Sequence, residues 1–399
     1  MRTGVLSILV GLATVSPLHS EDALDHWSLR DTNVLTRVRF VGGVFVGVGA
    51  QGKLMTSEDG TTWVSRASGT GVDLNGVAAG TVLNGPLPQN LFTVVGNQGT
   101  VLNSTNGTNW TSALTTFGDL HDVAYGASKF VATTTRGAIN QPNLIVSTDG
   151  FNWSGVFFFN GMGYFCSAIA CAGGLFITAG GTEFAFDIWR CNYDLAPPQI
   201  AQWQKVGFSD QVVCGIIYGN GRFVIVGYEG LPCESTDGGS TWSFYGGSDF
   251  GAVVPGGYPM TGNDIAFGNG TFVLARGFLP RPQLTSFDGK SWIRRPALNS
   301  LQFDSVTFGK GTFVAVGGSG IYQSDSVTPP HITANAPASP NSMSVQISGE
   351  VGRGYRLQTS TDLLNWSDRW CYTNTGPMTN FTEAVDLKQP RVFYRVVSP

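Results

Sequence analysis

Ser57-Glu58-Asp59-Gly60-Thr61-Thr62-Trp63 returns four more times in near-copies, as STNGTNW at 104–110, STDGFNW at 147–153, STDGGSTW at 235–242 and SFDGKSW at 286–292. A unit that recurs in this way dictates a repeat architecture, because each copy is one supersecondary element that cannot bury its apolar face alone. The motif is therefore read as a building unit before any of its residues is considered for catalysis.

Each copy has the chemistry of a turn. The side chain of Asp or Asn can accept hydrogen bonds from backbone N–H groups just ahead of it, and the following Gly supplies a positive φ for the reversal. The Trp that follows can bury a large apolar area between neighbouring sheets. Asn106 stands where Asp59, Asp149, Asp237 and Asp288 stand in the other copies. That exchange keeps the acceptor and discards the charge, so these positions are expected to be structural, together with Trp63, Trp110, Trp153, Trp242 and Trp292. The Ser-x-Asp-x-Gly-x-x-Trp spacing resembles the Asp-box (BNR) repeat of sialidases, of sortilin-type receptors and of photosystem assembly factors related to the Ycf48 family.

A second motif alternates with the first. An apolar residue, any residue, an aromatic and usually Gly lead through a short polar turn to a Phe seven residues after the start. Val38 to Phe45, Val123 to Phe130, Ile169 to Phe176, Ile216 to Phe223, Ile265 to Phe272 and Val306 to Phe313 keep this spacing, and Val77 to Phe92 carries an insertion in the turn. Alternating apolar residues around Gly-Asn-Gly or Gly-Lys-Gly predict β-hairpins. Successive starts lie far enough apart for four short strands each, so the array is expected to be an all-β, seven-bladed β-propeller over 21–327. The last unit lacks its Trp, while Asp25-His26-Trp27-Ser28-Leu29-Arg30 resembles a strand with no hairpin before it. The amino-terminal strand is thus expected to close the last blade. The fourth unit is irregular, with Trp189-Arg190-Cys191-Asn192-Tyr193-Asp194 in place of a clean box and Trp203 arriving late.

Beyond Val327 the pattern changes. Met343–Ile347, Tyr355–Thr359 and Val392–Val397 alternate like strands of a small β-sandwich over 328–399. This tail resembles the fibronectin-type-III-like modules of large secreted bacterial proteins, which implies a spacer or attachment unit.

Of 399 residues 54 are Gly and only 13% are charged, against about 25% in ordinary globular chains. Turn-rich β structure is favoured by this balance. Arg2, the apolar run Gly4 to Val15 and then Ser16-Pro17-Leu18-His19-Ser20 predict a signal peptide over 1–20, hence a secreted or cell-surface bacterial protein. The run is too short to span a membrane. A net charge of −4 gives no footprint for nucleic acid. Six Cys permit disulfides, and pairs Cys166–Cys214 and Cys191–Cys233 are compatible with the repeat register. Cys171 fills the slot that holds an aromatic elsewhere and is expected in the core. Four His without CxxC pairs predict neither metal nor cofactor.

In a propeller whose innermost strand comes first, the segments that enter this strand and the loops joining second to third strands share one face. Candidate ligand-binding residues there are His121, Asp122, Arg136, Glu183, Phe184, Phe186, Tyr228, Glu229, Asp264, Arg276, Phe278 and Asp304. The resemblance to sialidases implies an alternative as an exo-sialidase-like glycoside hydrolase, with Arg37, Arg136 and Arg276 as the arginine triad beside Tyr228, Glu229 and Asp264. Against it, the Phe/Tyr-Arg-Ile-Pro motif of that family is absent, and Thr36-Arg37-Val38-Arg39 is the nearest segment. The reading that accounts for most features is a secreted, non-catalytic, monomeric propeller that binds a glycan or an extracellular protein through this face. An extracytoplasmic assembly factor is the further alternative.

Overall fold

A computed structural model describes residues 23–83, 87–134, 142–157, 165–182, 185–193, 203–209, 213–227, 232–244, 263–277, 283–290, 292–295, 301–327, 331–339, 342–348, 354–360, 366–373, 378–384 and 393–397. The segment read as a signal peptide lies outside them, as do Arg136, Glu183, Phe184, Tyr228, Glu229 and Phe278. Among the described residues there is no α-helix, and no helix long and apolar enough to cross a membrane.

The described residues between Trp27 and Ser324 form seven four-stranded antiparallel sheets. The first sheet runs through Arg37–Val41, Val44–Val48, Leu54–Ser57 and Val64–Ser65 in chain order, and the next five follow the same plan. The seventh takes Ser305–Gly309, Thr312–Gly317 and Gly320–Ser324 from the end of the array, and its fourth strand is Trp27–Asp31 from the beginning. Each sheet's first strand contacts the first strand of the next, and Arg37–Val41 also contacts Ser305–Gly309, so these inner strands surround one axis. Pairing the terminal strands of the array removes an edge that would otherwise stay open.

The repeated turn has the geometry its chemistry predicts. In the first copy Asp59 Oδ1 accepts from Thr61 N and Thr62 N, each at 2.8 Å, and from Ser57 Oγ at 3.0 Å. Ser57 Oγ in turn accepts from Gly60 N at 2.8 Å, and Gly60 adopts φ 78°. The Trp63 indole then donates to Gly60 O at 3.0 Å. Asn106 reproduces the arrangement without charge, accepting from Thr108 N and Asn109 N, each at 2.9 Å. The Ser two residues ahead of the acid is as much a part of the turn as the acid itself.

Seven tryptophans fill the seven junctions between sheets. Trp63, Trp110, Trp153, Trp203, Trp242 and Trp292 each pack between their own sheet and the preceding one, and Trp27 does so between the sixth and seventh. Trp203 thereby does the work of a box Trp in the irregular fourth unit. The segment around Trp189 belongs instead to the long third strand Ala185–Asn192. Trp292 is 2% exposed, whereas Trp63, Trp110, Trp153 and Trp242 are only partly buried.

Neither expected disulfide forms. Cys166, Cys191 and Cys233 are free and buried. Cys191, on the fourth sheet, faces the third, and Cys233, on the fifth, faces the fourth, so the fourth sheet lies between them. Cys166 also faces the third sheet, while Cys214 sits at a register shift between Val213 and Gly215. Burial pushes the thiols of Cys166 and Cys233 up to about 12, as expected of inert core residues.

Past the seventh sheet, His331–Ser339, Ser342–Ser348 and Met378–Ala384 form one three-stranded sheet. Gly354–Ser360, flanked by Ser367–Thr373 and Phe393–Val397, forms another. The two share a small core of Ile347 and Leu357 with Tyr372, Phe381, Tyr394 and Val396 packed on it.

Candidate functional site

The inner strands enclose a channel of about 550 Å3 that residues from all seven sheets line. Its two ends differ in chemistry because the strand register differs there. At the end where the inner strands turn back into hairpins stand Phe40, Tyr125, Tyr218, Phe267 and Phe308, with Ala79 and Cys171 at the matching places. Each aromatic packs against the Phe of its own second strand, with ring centroids 4.6 to 4.9 Å apart. The Gly that closes the motif leaves room for the ring of the next sheet. A Cβ on Gly309 would lie 2.3 Å from Phe40, one on Gly80 2.2 Å from Tyr125 and one on Gly219 2.3 Å from Phe267. Where Val41 replaces this Gly, the next sheet carries Ala79 instead of an aromatic. Opposite Ala172, Tyr218 is 43% exposed.

The end where the inner strands begin is polar. Register shifts near the start of the inner strands in the second to fifth sheets turn extra side chains toward the neighbouring sheet. Asn75 donates to Leu120 O at 2.8 Å, and Ser167 Oγ to Val213 O at 2.6 Å. Asp122 and Asp264 occupy equivalent positions, one residue ahead of the apolar start. Asp122 Oδ1 accepts from Val123 N at 3.0 Å and its Oδ2 from Ile169 N at 3.3 Å. Asp264 repeats the pattern with Ile265 N at 2.9 Å and Val306 N at 3.3 Å. Each carboxylate thus ties its own strand to that of the next sheet.

Asp264 has further partners. Arg39 grips it through both terminal nitrogens, at 2.6 and 3.2 Å, Ser305 Oγ donates at 2.5 Å, and Arg37 Nη1 lies 3.6 Å away. Burial alone would raise this carboxyl, but Arg39 and Arg37 outweigh it and hold it below its ordinary value. Arg37 is itself buried, and its Nε donates to Asn75 O at 3.1 Å. His121 stands close by with no partner for Nδ1, and burial together with Arg37 lowers its pKa, which favours the neutral ring. Asp304 accepts from Asn263 Nδ2 at 3.1 Å, and burial raises its carboxyl.

Of the predicted site residues, Arg37, His121, Asp122, Asp264 and Asp304 therefore meet at one end of the channel. Arg276 is 3% exposed, its backbone clamped by Gln283, which accepts from Arg276 N at 2.8 Å and donates to Arg276 O at 3.2 Å. Phe186, expected on a binding loop, is instead fully buried in the third strand of the fourth sheet, between that sheet and the fifth. The alternation that buries Ile188 buries Phe186 with it. Arg39 is the residue that the sequence reading passed over. Its signal was register: the matching positions in the other sheets are Ala78, Ala124, Ala170, Ile217, Ala266 and Thr307.

No protein-family model and no curated protein matches the chain. Solved structures do. YCF48 from Cyanidioschyzon merolae superposes with a TM-score of 0.51 at 18% identity, covering 75% of this chain and 98% of that one. YCF48 bound to D1 peptide gives a TM-score of 0.52 at 16% identity, with coverages of 76% and 97%. PorZ of Porphyromonas gingivalis, an essential surface component of the type-IX secretion system, gives 0.57 at 11% identity, with 92% of this chain aligned to 59% of that one. At such identities the likeness is one of fold, and the fold is a β-propeller.

Proposed function

We propose that this chain is a non-catalytic β-propeller of seven blades, closed by its amino-terminal strand, that binds a polypeptide partner through the face where the inner strands begin. The observation that carries this reading is how the polar groups at that face are used. Asp264 and Arg39 are engaged with each other, with Ser305 and with backbone groups, and Arg37 with Asn75 O and Asp264, while the channel beside them stays open and lined mainly by small and aliphatic residues. A glycosidase of the sialidase type would need Arg37 free for a sugar carboxylate and Asp264 able to supply a proton. Instead Arg37 is held by Asn75 and Asp264, and Asp264 is kept ionised by the arginines.

The solved propeller with a D1 peptide supports a polypeptide over a glycan as the partner. We infer further that the chain is exported after cleavage near Ser20, acts as a monomer, and carries its carboxyl-terminal pair of small sheets as a fibronectin-type-III-like sandwich for attachment. Display of the purified chain against a peptide array and a glycan array tests the central reading. Peptide binding that Ala124→Phe abolishes is expected, since the ring would fill the channel. Binding to glycans alone, or hydrolysis of a fluorogenic sialoside, would replace it.

A further inference from the structure

Asp122 and Asp264 are equivalent in register, three sheets apart, and their surroundings match up to a point. Each is buried, each accepts from the N–H of its following residue, and each accepts from the inner strand of the next sheet. Each also rests on a glycine of the preceding sheet. A Cβ on Gly76 would lie 2.9 Å from Asp122 Cα, and one on Gly215 3.3 Å from Asp264 Cα.

The match ends at the cation. Asp264 receives Arg39, which crosses the channel from the sheet two places further round the ring. Two places round from Asp122, the residue at the register of Arg39 is Ile217, which also lines the channel. Asp122 therefore has no arginine of its own, and among the described residues no cation lies within 4.0 Å of it. An ionised carboxylate offers about four acceptor sites, and here two are taken by backbone N–H groups. A buried carboxylate without a cation is costly to hold, and this one borders the channel. Arg39 lies near enough to act on Asp122 through space, but its hydrogen bonds go to Asp264 and leave the free acceptor sites of Asp122 unfilled.

We propose that Asp122 is the receiving end of a cation site in the channel, filled by the guanidinium or ammonium of an arginine or lysine side chain from the partner polypeptide. The inference rests on the partner-binding reading above and names the group that the channel takes. The aliphatic stem of such a side chain lies along Ala124, Ala170 and Ile217, as an arginine stem packs along apolar surface elsewhere in proteins. The intramolecular precedent is Arg39, which reaches a buried aspartate of the same ring through the same channel.

The experiment measures binding of N-acetyl-L-arginine amide to the full chain by titration calorimetry, beside the isosteric but uncharged N-acetyl-L-citrulline amide. Arginine amide is expected to bind and citrulline amide to bind at least about tenfold more weakly, the span of a charge-assisted hydrogen-bonded pair. Asp122→Asn should reduce arginine binding by a similar factor. Ile217→Arg supplies the missing guanidinium from within, so it should abolish binding while leaving the melting temperature unchanged or raised. That second variant keeps the test decisive if Asp122→Asn folds poorly. Equal binding of the two amides, no binding of arginine amide, or undiminished binding by Ile217→Arg would overturn the cation site. Peptides from the array that bind regardless of their basic residues would do so too, yet would leave the partner-binding reading standing. An array with no peptide hits would instead remove that reading.

Discussion

The ring of Phe308 lies on the backbone of Gly268, so closely that a Cβ at the glycine would sit 1.9 Å from Phe308 Cγ. Gly268 has no positive φ, and its lack of a side chain serves only to admit the neighbouring sheet's aromatic. Gly268→Ala is therefore expected to destabilise the protein by about 1–3 kcal/mol through overpacking. Gly71→Ala, where a Cβ would meet nothing within 4 Å, should stay within about 0.5 kcal/mol of the parent. Urea midpoints of the two variants make the comparison, and equal midpoints would refute the packing role.

The tryptophans are not equivalent, and their loss should not be either. Trp292 is 2% exposed and donates to Gly289 O at 3.2 Å, so Trp292→Ala should cost about 3–5 kcal/mol. The box of the fifth sheet has one more glycine, and the Trp242 indole N–H finds no partner there. Trp242→Phe is expected to cost less than Trp292→Phe, which forfeits a hydrogen bond as well as packing. A larger loss at position 242, measured by thermal denaturation, would contradict this ordering.

Much of the fold was legible because the two motifs report on local needs that each repeat must satisfy by itself. The turn requires an acceptor and a glycine, and the hairpin requires alternation, whatever lies beside them. The role of the glycines at 80, 219, 268 and 309 was not legible, since it depends on a ring supplied by the following sheet. The pairing of Val41 with Ala79 makes the same point, because neither substitution has a reason within its own repeat. Arg39 escaped notice for a related cause. Its partner Asp264 is 225 residues away in sequence, and only closure of the ring brings them together. Phe186 was misplaced because the long third strand of the fourth sheet reaches further than the repeat suggests.

The turn aspartates predict an acid limb of stability. Backbone N–H groups, that of Thr62 foremost, hold Asp59 below its ordinary value of 3.8. At Asp149 burial works the other way, but Asn152, Phe151 and Ser147 outweigh it, and Thr241 lowers Asp237. Each unfolded carboxyl binds its proton more readily than the folded one, so this stabilisation is complete above about pH 4 and is lost as pH falls through the folded values. Asp149→Asn should cost under about 0.5 kcal/mol at pH 7, since the acceptor survives, and should shrink the loss below pH 4. Asp149→Ala should cost about 1 kcal/mol or more at either pH. Urea midpoints between pH 2 and 7 separate these outcomes, and a steeper acid slope in Asp149→Asn would exclude the turn as its source.

The pair of Arg39 and Asp264 makes the strongest prediction about the ring. Arg39 is raised by Asp264 and Asp122 against the pull of burial, and Asp264 is lowered by the arginines. Each partner thus stabilises the charged form of the other, at a site where the Asp264 side chain is 2% exposed and that of Arg39 23%. Removing one leaves a buried charge with fewer partners, so Arg39→Ala and Asp264→Asn should each cost about 3–5 kcal/mol. The double variant should be more stable than the sum of those losses allows, with a coupling of about 1–3 kcal/mol. Part of the cost persists in the double variant, because Asp264 also joins the sixth and seventh sheets through Val306 N. A double-mutant cycle at pH 7 that gives strictly additive losses would mean that the contact across the channel contributes nothing. The sheets would then be held by backbone and tryptophan packing alone.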